Sequence, residues 1–168
     1  MLKLDIGCGP VPKRGYEGVD EIAYPEVKWV LDIEGDWPWG DGDVDEVWCS
    51  HYVEHCRDLV RFADNLYRVL RPGGKAIITH PYAHSNRAWQ DPTHVRALNE
   101  VSWLYWDKTW RTANRIDHVM HCDFKVSVQP IWAMDWVTPE ITDEQRFQAM
   151  GRLLNVVDDL HVTLTKRA

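Results

Sequence analysis

The residues best equipped for chemistry fall into three short strings. The first is Leu4-Asp5-Ile6-Gly7-Cys8-Gly9-Pro10, an apolar run interrupted by an acid and ending in a glycine pair. Gly7 and Gly9 have no Cβ to hold a ligand away from the main chain, and they tolerate positive φ where a strand turns. Cys8 lies between them, and Asp5 suits a cationic amine better than a phosphate. A dinucleotide fingerprint would add a third glycine, a helix whose N-terminus takes the pyrophosphate, and an acid about 20 residues further on. Here Pro12 stands at the third glycine, Pro10, Pro12 and Gly15 leave no room for a regular helix, and an acid already follows at Asp20. The pattern argues against a pyrophosphate reader and for a nucleoside site, with Asp20 at a strand end to accept two ribose hydroxyls in charge-assisted hydrogen bonds.

The second string, His51-Tyr52-Val53-Glu54-His55, fits H-x-x-E-H, in which two histidines one helical turn apart bind zinc and the glutamate activates water. A zinc peptidase using His51, Glu54 and His55 is therefore one reading, although His51 comes directly off an expected strand, where a turn should follow. The third string lies in a long connection at about residues 82–122 and offers His84 and His94 as acid-base candidates, His94 within Asp91-Pro92-Thr93-His94-Val95-Arg96. Imidazole has the unperturbed pKa that suits proton removal near neutrality. His118, His121, Cys122 and Asp123 are also metal-ligand types. No second half of a four-ligand site accompanies them, so they read as a solvated loop, and no metal is expected.

Positioning these strings requires strands at about 2–6, 16–20, 27–32, 44–49 and 75–80, followed by 124–129 and 160–166. The first five are short apolar runs, as in a parallel sheet covered on both faces. An amphipathic helix is predicted over 58–70, with Leu59, Phe62, Ala63, Leu66 and Leu70 on one stripe, Asp58 as its cap and Pro72-Gly73-Gly74 as its stop. Thr142 and Gln145 have capping-box spacing for a second helix over 143–154. Parallel strands need about a dozen connecting residues, and the stretch from Gly7 to Glu17 barely suffices, with no helix in it. Cover for a ligand must then come from the 82–122 insertion, which holds Trp89, Trp103, Tyr105, Trp106 and Trp110 of a chain with 10 tryptophans. Connections this long are usually functional or disordered, and aromatic content argues against disorder. Tyr82, Trp89 and Trp106 are the candidate substrate-lining residues; the other reading is that the rings fill a secondary core.

Taken together, these strings resemble the class I S-adenosylmethionine-dependent methyltransferases. The glycine loop is joined by Asp32-Ile33 after Val27-Lys28-Trp29-Val30-Leu31, where the family places its adenine-reading acid. Val53-Glu54-His55, after Val44-Asp45-Glu46-Val47-Trp48-Cys49-Ser50, is similar to the family's Leu-Glu-His, and Leu70-Arg71-Pro72-Gly73-Gly74-Lys75 resembles its turn into the fifth strand. The resemblance implies an α/β, Rossmann-like, three-layer fold with a mostly parallel seven-stranded sheet, an antiparallel last strand and reduced N-terminal helices. It implies S-adenosylmethionine as cofactor, with Gly7, Cys8 and Gly9 around its methionine end and Asp5 orienting the amine directly or through water. Asp20 would hold the ribose, Asp32 and Ile33 would frame the adenine, and Ser50 and His51 would contact the methionine from the other side. The Asp-Pro-Thr-His-Val-Arg string resembles one in bacterial small-molecule methyltransferases, which favours His94 as base. Thr79-His80-Pro81-Tyr82 only partly matches the tetrad of base-modifying members, being after the wrong strand and lacking the second proline.

At 168 residues the chain suits one compact domain, and its net charge of −7 disfavours a broad polyanion-binding surface. Arg87, Arg96, Arg111 and Arg115 form a local basic stretch. Cys8, Cys49, Cys56 and Cys122 show no paired spacing and read as reduced thiols, and with no leader or membrane span in view a cytoplasmic location is expected. The expected activity is methyl transfer to a hydroxyl or amine of a small molecule. A non-catalytic cofactor-binding subunit and a nucleic-acid or protein methyltransferase remain alternatives.

Overall fold

The computed structural model describes residues 1–167. Seven strands form one sheet: β1 (Lys3–Ile6), β2 (Glu17–Asp20), β3 (Val27–Val30), β4 (Val44–Ser50), β5 (Leu70–Pro81), β6 (Phe124–Trp132) and β7 (Val157–Lys166). Their order is β3-β2-β1-β4-β5-β7-β6. The first five pair in parallel, and β7 runs antiparallel to both β5 and β6. The helices are α1 (Leu59–Val69), α2 (Lys108–Ala113) and α3 (Asp143–Met150). The mostly parallel sheet with an antiparallel last strand is thus present as expected.

Helix α1 forms for the reason its spacing gives. Asp58 accepts from Arg61 N at 2.9 Å, and Phe62, Ala63, Leu66 and Val69 are buried. Its exit differs from expectation: β5 begins at Leu70 rather than near 75, because Leu70 already pairs with Val44. The ladder resumes at Glu46 and Lys75, so Arg71–Gly74 bulge out of it, with Gly73 at φ 74. Helix α3 stops at Met150 rather than 154, ahead of Gly151, although its Thr142–Gln145 capping box is present.

The two sheet faces are covered unequally. Leu4, Ile6, Val47, Cys49, Ala76, Ile78, Val162 and Leu164 alternate onto one face and are fully buried. Helix α1 and the aromatic insertion close this face. Trp37 packs on Phe62 at 5.6 Å, and Trp106 lies 6.4 Å from Phe62 and 6.2 Å from Phe124. On the other face residues 8–16 lie against β1, β2 and β4 without forming a helix. Lys13 N donates to Asp5 Oδ2 at 2.7 Å, and the Lys13 ammonium sits 3.7 Å from the Trp48 ring. Gly18 permits this approach, since a Cβ there would lie 2.6 Å from Pro12 Cγ and 2.9 Å from Cys8 Sγ. The loop can lie this close because β2 has no side chain at Gly18.

Inside the insertion, a 3₁₀ segment over Val101–Trp106 buries Trp103 and Trp106 against each other, their centroids 4.9 Å apart. Arg111 is wholly buried and donates to Tyr105 O and Cys122 O, each at 2.7 Å. The arginine stretch is therefore no common basic face. Arg87 pairs with Asp159 at 2.9 Å, Arg96 donates to Cys56 O at 3.0 Å and Arg57 O at 2.7 Å, and Arg111 is a strut inside the fold. Among the described residues no helix is long and apolar enough to cross a membrane.

Candidate active site

A cavity of about 760 Å³ opens beyond the C-terminal ends of β1 and β2, where an open α/β sheet binds its ligands. Gly7 forms its floor with φ 68, and a Cβ there would lie 2.8 Å from the Tyr52 ring. Tyr52 thus closes over the turn only because residue 7 is glycine. Asp20 follows at the tip of β2, with Oδ2 accepting from Gly9 N at 2.8 Å and Oδ1 from Ile22 N at 3.0 Å. Each carboxylate oxygen keeps a lone pair for a further donor. Asp32 and buried Ile33 line the far side, with Glu21 and Glu34 beside them.

Of the residues expected to hold a cofactor, the structure brings Gly7, Asp20, Asp32 and Ile33 to this cavity and leaves others away from it. Asp5 faces the 8–16 loop, where its Oδ2 is engaged by Lys13 N, and burial raises its pKa. Cys8 turns its thiol toward Gly9 O at 3.3 Å, and burial pushes that thiol up to about 11, which keeps it protonated near neutrality. Gly9 acts through its N–H on Asp20, and Ser50 pairs with Thr79 across the β4–β5 ladder. The remaining wall comes from residues not singled out for it: Tyr52, His55, Arg57, Pro92, Thr93 and Val95. The signal for Tyr52 and His55 was present in the His51–His55 string, and their position off β4 could have found them.

A second, smaller recess of about 210 Å³ adjoins the first and shares His55 with it. It is lined by His51, Glu54, His55, Arg87, Asp91 and His94, among others. His51 follows β4 directly in the left-handed region, φ 55, with its N–H on Thr79 O at 2.8 Å. Such a conformation in a non-glycine residue tends to cluster at functional sites. Its Nδ1 lies 3.3 Å from Glu54 Oε1, and that bond raises the imidazole's pKa. Residues 51–56 form turns, not a helix, so the helical zinc-peptidase arrangement of His51 and His55 is not built. The insertion is tied here by Val95 N on Glu54 O at 2.9 Å, which carries His94 into the recess.

The other expected residues lie elsewhere. His84 points its Nδ1 at Met150 O, 3.3 Å away, with its ring 5.3 Å from that of Tyr82. Tyr82 is buried, its pKa raised to about 12 chiefly by burial and then by Glu100. Trp89 is 70% exposed and donates to Ala83 O at 2.9 Å. Trp106 is core and borders an apolar crevice with Leu59, Tyr105 and Met120. None of these four lines the cavity or the recess. Cys122 is buried and Asp123 pairs with Arg167 at 2.6 Å, so the 118–123 string does not gather around an ion. His80 of the partial tetrad is buried under Trp103, whose Nε1 donates to His80 Nε2 at 2.9 Å.

Comparison with known proteins agrees with this geometry. Residues 17–78 match the family described as a methyltransferase domain. Over 105 residues the chain is 28% identical to the chloroplastic tocopherol O-methyltransferase of Arabidopsis thaliana, a match covering 60% of this chain and 29% of that protein. The chain thus spans less than a third of this curated relative. Among solved structures, a SAM-dependent methyltransferase from Archaeoglobus fulgidus aligns with a TM-score of 0.66 at 19% identity, covering 98% of this chain and 85% of that one. The geranyl diphosphate C-methyltransferase of Streptomyces coelicolor A3(2), solved with Mg2+, geranyl diphosphate and S-adenosyl-L-homocysteine, aligns with a TM-score of 0.56 at 14% identity, covering 99% and 72%.

Proposed function

We propose that this chain, which belongs to the class I S-adenosylmethionine-dependent methyltransferase family, methylates a hydroxyl or amine of a small molecule held in the histidine recess. The observation that carries this reading is the junction at His55 between a nucleoside-sized cavity and a recess lined by His51, Glu54 and His94. The residues fit the cofactor. Gly7 lets Tyr52 close onto the turn that floors the cavity, Asp20 offers two lone pairs to ribose hydroxyls, and Ile33 with Tyr52 supplies apolar walls for a base. When bound, the cofactor supplies an electrophilic methyl group on a sulfonium.

The protein's own task is then orientation, which holds the reacting groups together and removes much of the entropic cost of their encounter. Thr93 and Val95 border the cavity while His94 between them faces the recess, so one short stretch of the insertion touches both partners. Acceptor deprotonation depends on His94 in this reading, and His84, turned toward α3, has no part in it. A small acceptor is supported by the recess volume of about 210 Å³ and by the small molecules named for two of the similar proteins.

Calorimetry with S-adenosylmethionine and its demethylated product tests the first half; a folded chain that binds neither would overturn it. Transfer of labelled methyl to a panel of small hydroxyl and amine acceptors tests the second half. Binding without turnover on any of them would favour a non-catalytic cofactor-binding subunit.

A further inference from the structure

We infer that the recess is a divalent transition-metal site, formed by Glu54, His55 and His94. One nitrogen of each imidazole and one carboxylate oxygen of Glu54 all lie within 4.8 Å of one another. Two histidines and one carboxylate are the protein ligands of several catalytic zinc and iron centres, which keep further positions open for water or substrate.

The hydrogen bonds around the cluster prepare it for an ion. His94 Nδ1 faces Ala88 O at 3.0 Å; a carbonyl only accepts, so Nδ1 carries the proton and Nε2 of the neutral ring keeps its lone pair. His55 is set in the same way. Thr93 Oγ1 gives its hydrogen to Asp91 Oδ1 at 2.6 Å and is left to accept from His55 Nδ1, 3.1 Å away. Backbone or carboxylate-linked partners on the far nitrogen are the usual means of fixing the tautomer of a metal-binding histidine.

The carboxylate provides an independent sign of a missing partner. Glu54 is 2% exposed; Oε1 meets His51 Nδ1 at 3.3 Å, and Oε2 has no hydrogen-bond partner. A buried acceptor left unmatched costs about 1–3 kcal/mol, and a cation in the recess would remove that cost. Zinc bonds of about 2.0–2.1 Å put ligands roughly 3.3 Å apart, so no pair of groups must close by more than about 1.5 Å. On the function proposed above, the open coordination position would take the acceptor's oxygen or nitrogen beside the cofactor cavity; with an ion bound, His94 serves as ligand rather than base, and the ion itself eases loss of the acceptor's proton.

The full chain, stripped with chelator, is titrated with Co2+ followed by its visible d–d bands and with Zn2+ by calorimetry. Binding of S-adenosylhomocysteine is measured on the same samples. One ion per chain is expected, with affinity falling at least about 100-fold in both His94→Ala and Glu54→Gln, while exposed His121→Ala binds like the parent. Circular dichroism checks that the variants fold; should Glu54→Gln not fold, His94→Ala carries the test. No ion uptake, or uptake unchanged in folded His94→Ala, would overturn the site. If S-adenosylhomocysteine then still binds, the proposed function stands without a metal. Ion uptake with no S-adenosylhomocysteine binding would keep the site and sink the methyltransferase reading.

Discussion

The cofactor cavity and the histidine recess meet at His55, yet they are built by different means. The cavity is floored by backbone, in the turn at Gly7, the N–H groups that hold Asp20 and the ends of two neighbouring strands, and side chains from the β4 turn and the insertion only complete its wall. The recess is made of side chains brought from the β4 turn, from β5 and from the insertion, and it is drawn together where Val95 N reaches Glu54 O and Thr93 Oγ1 meets His55 Nδ1. A ligand common to many proteins can be read by strand tips whose geometry the sheet dictates. A ligand particular to one protein needs a part that can vary without disturbing the sheet, and here that part is the insertion.

The largest effect should come from unpinning the insertion. Trp106→Ala removes a side chain packed on Trp103, Phe62 and Phe124, and loss of a buried aromatic costs about 3–5 kcal/mol. Denaturant unfolding measures it. A loss below about 1 kcal/mol would mean that the insertion is a loosely attached cover, and the contrast between the two halves would then be one of rigidity.

Next comes acid. His80 Nδ1 lies 2.8 Å from Pro81 O and so carries the proton, leaving Nε2 to accept from Trp103. Burial first of all lowers its pKa to about 4, from the 6.5 of a free imidazole. The folded state thus favours the neutral ring: its contribution is complete above pH 6.5 and is lost as pH falls from 6.5 toward 4. The maximum is about 3 kcal/mol, and it is lost at the joint between β5 and the insertion. His80→Gln keeps an acceptor for Trp103 without a charge and should flatten the parent's stability decline across that window. Equal slopes in parent and variant would place the acid-sensitive group elsewhere.

The same contrast explains what could be read in the chain. Gly7, Asp20, Asp32 and Ile33 were legible because strand ends and glycine turns are local features, fixed by a few neighbouring residues. Asp5, expected beside the cofactor, is not among the residues that line the cavity. Alternation along β1 points it to the face opposite Leu4 and Ile6, where Lys13 waits, but only the β1–β2 pairing reveals that Gly18 lets the loop settle there. Trp106 and Tyr82 could not be told from ligand-lining aromatics, since burial is a property of the assembled fold. The recess was visible only as two unrelated strings, His51–His55 and Asp91–Arg96, which come together through contacts between residues about 40 apart, Val95 N on Glu54 O and Thr93 Oγ1 with His55 Nδ1.

On the cofactor side, Asp20→Ala should weaken binding of S-adenosylmethionine by roughly ten- to 150-fold, about 1.5–3 kcal/mol for hydrogen bonds to a charged acceptor. It also frees Gly9 N and Ile22 N, so stability should drop by about 1 kcal/mol. Calorimetry and denaturant unfolding separate the two. Affinity unchanged beside lowered stability would make Asp20 a loop clamp only, and the cavity would lose its main anchor.

The smallest expected effect tests whether the cavity depends on the loop beneath it. Gly18→Ala places a methyl group 2.6 Å from Pro12 Cγ and 2.9 Å from Cys8 Sγ, so the 8–16 segment must lift. Overpacking of this kind costs about 1–3 kcal/mol, and a surface loop with a half-exposed proline should sit at the low end. Lifting weakens the Lys13 N to Asp5 bond and loosens the turn whose Gly9 N holds Asp20. Cofactor affinity should therefore fall several-fold although the substituted residue lines neither cavity, while ion uptake by the recess stays at the parent's level. Hydrogen exchange at Lys13 and Gly9 reports the lift directly. Faster exchange with unchanged cofactor affinity would show that the strand tips hold the cavity by themselves, and would sharpen the division between a site made of backbone and one made of side chains.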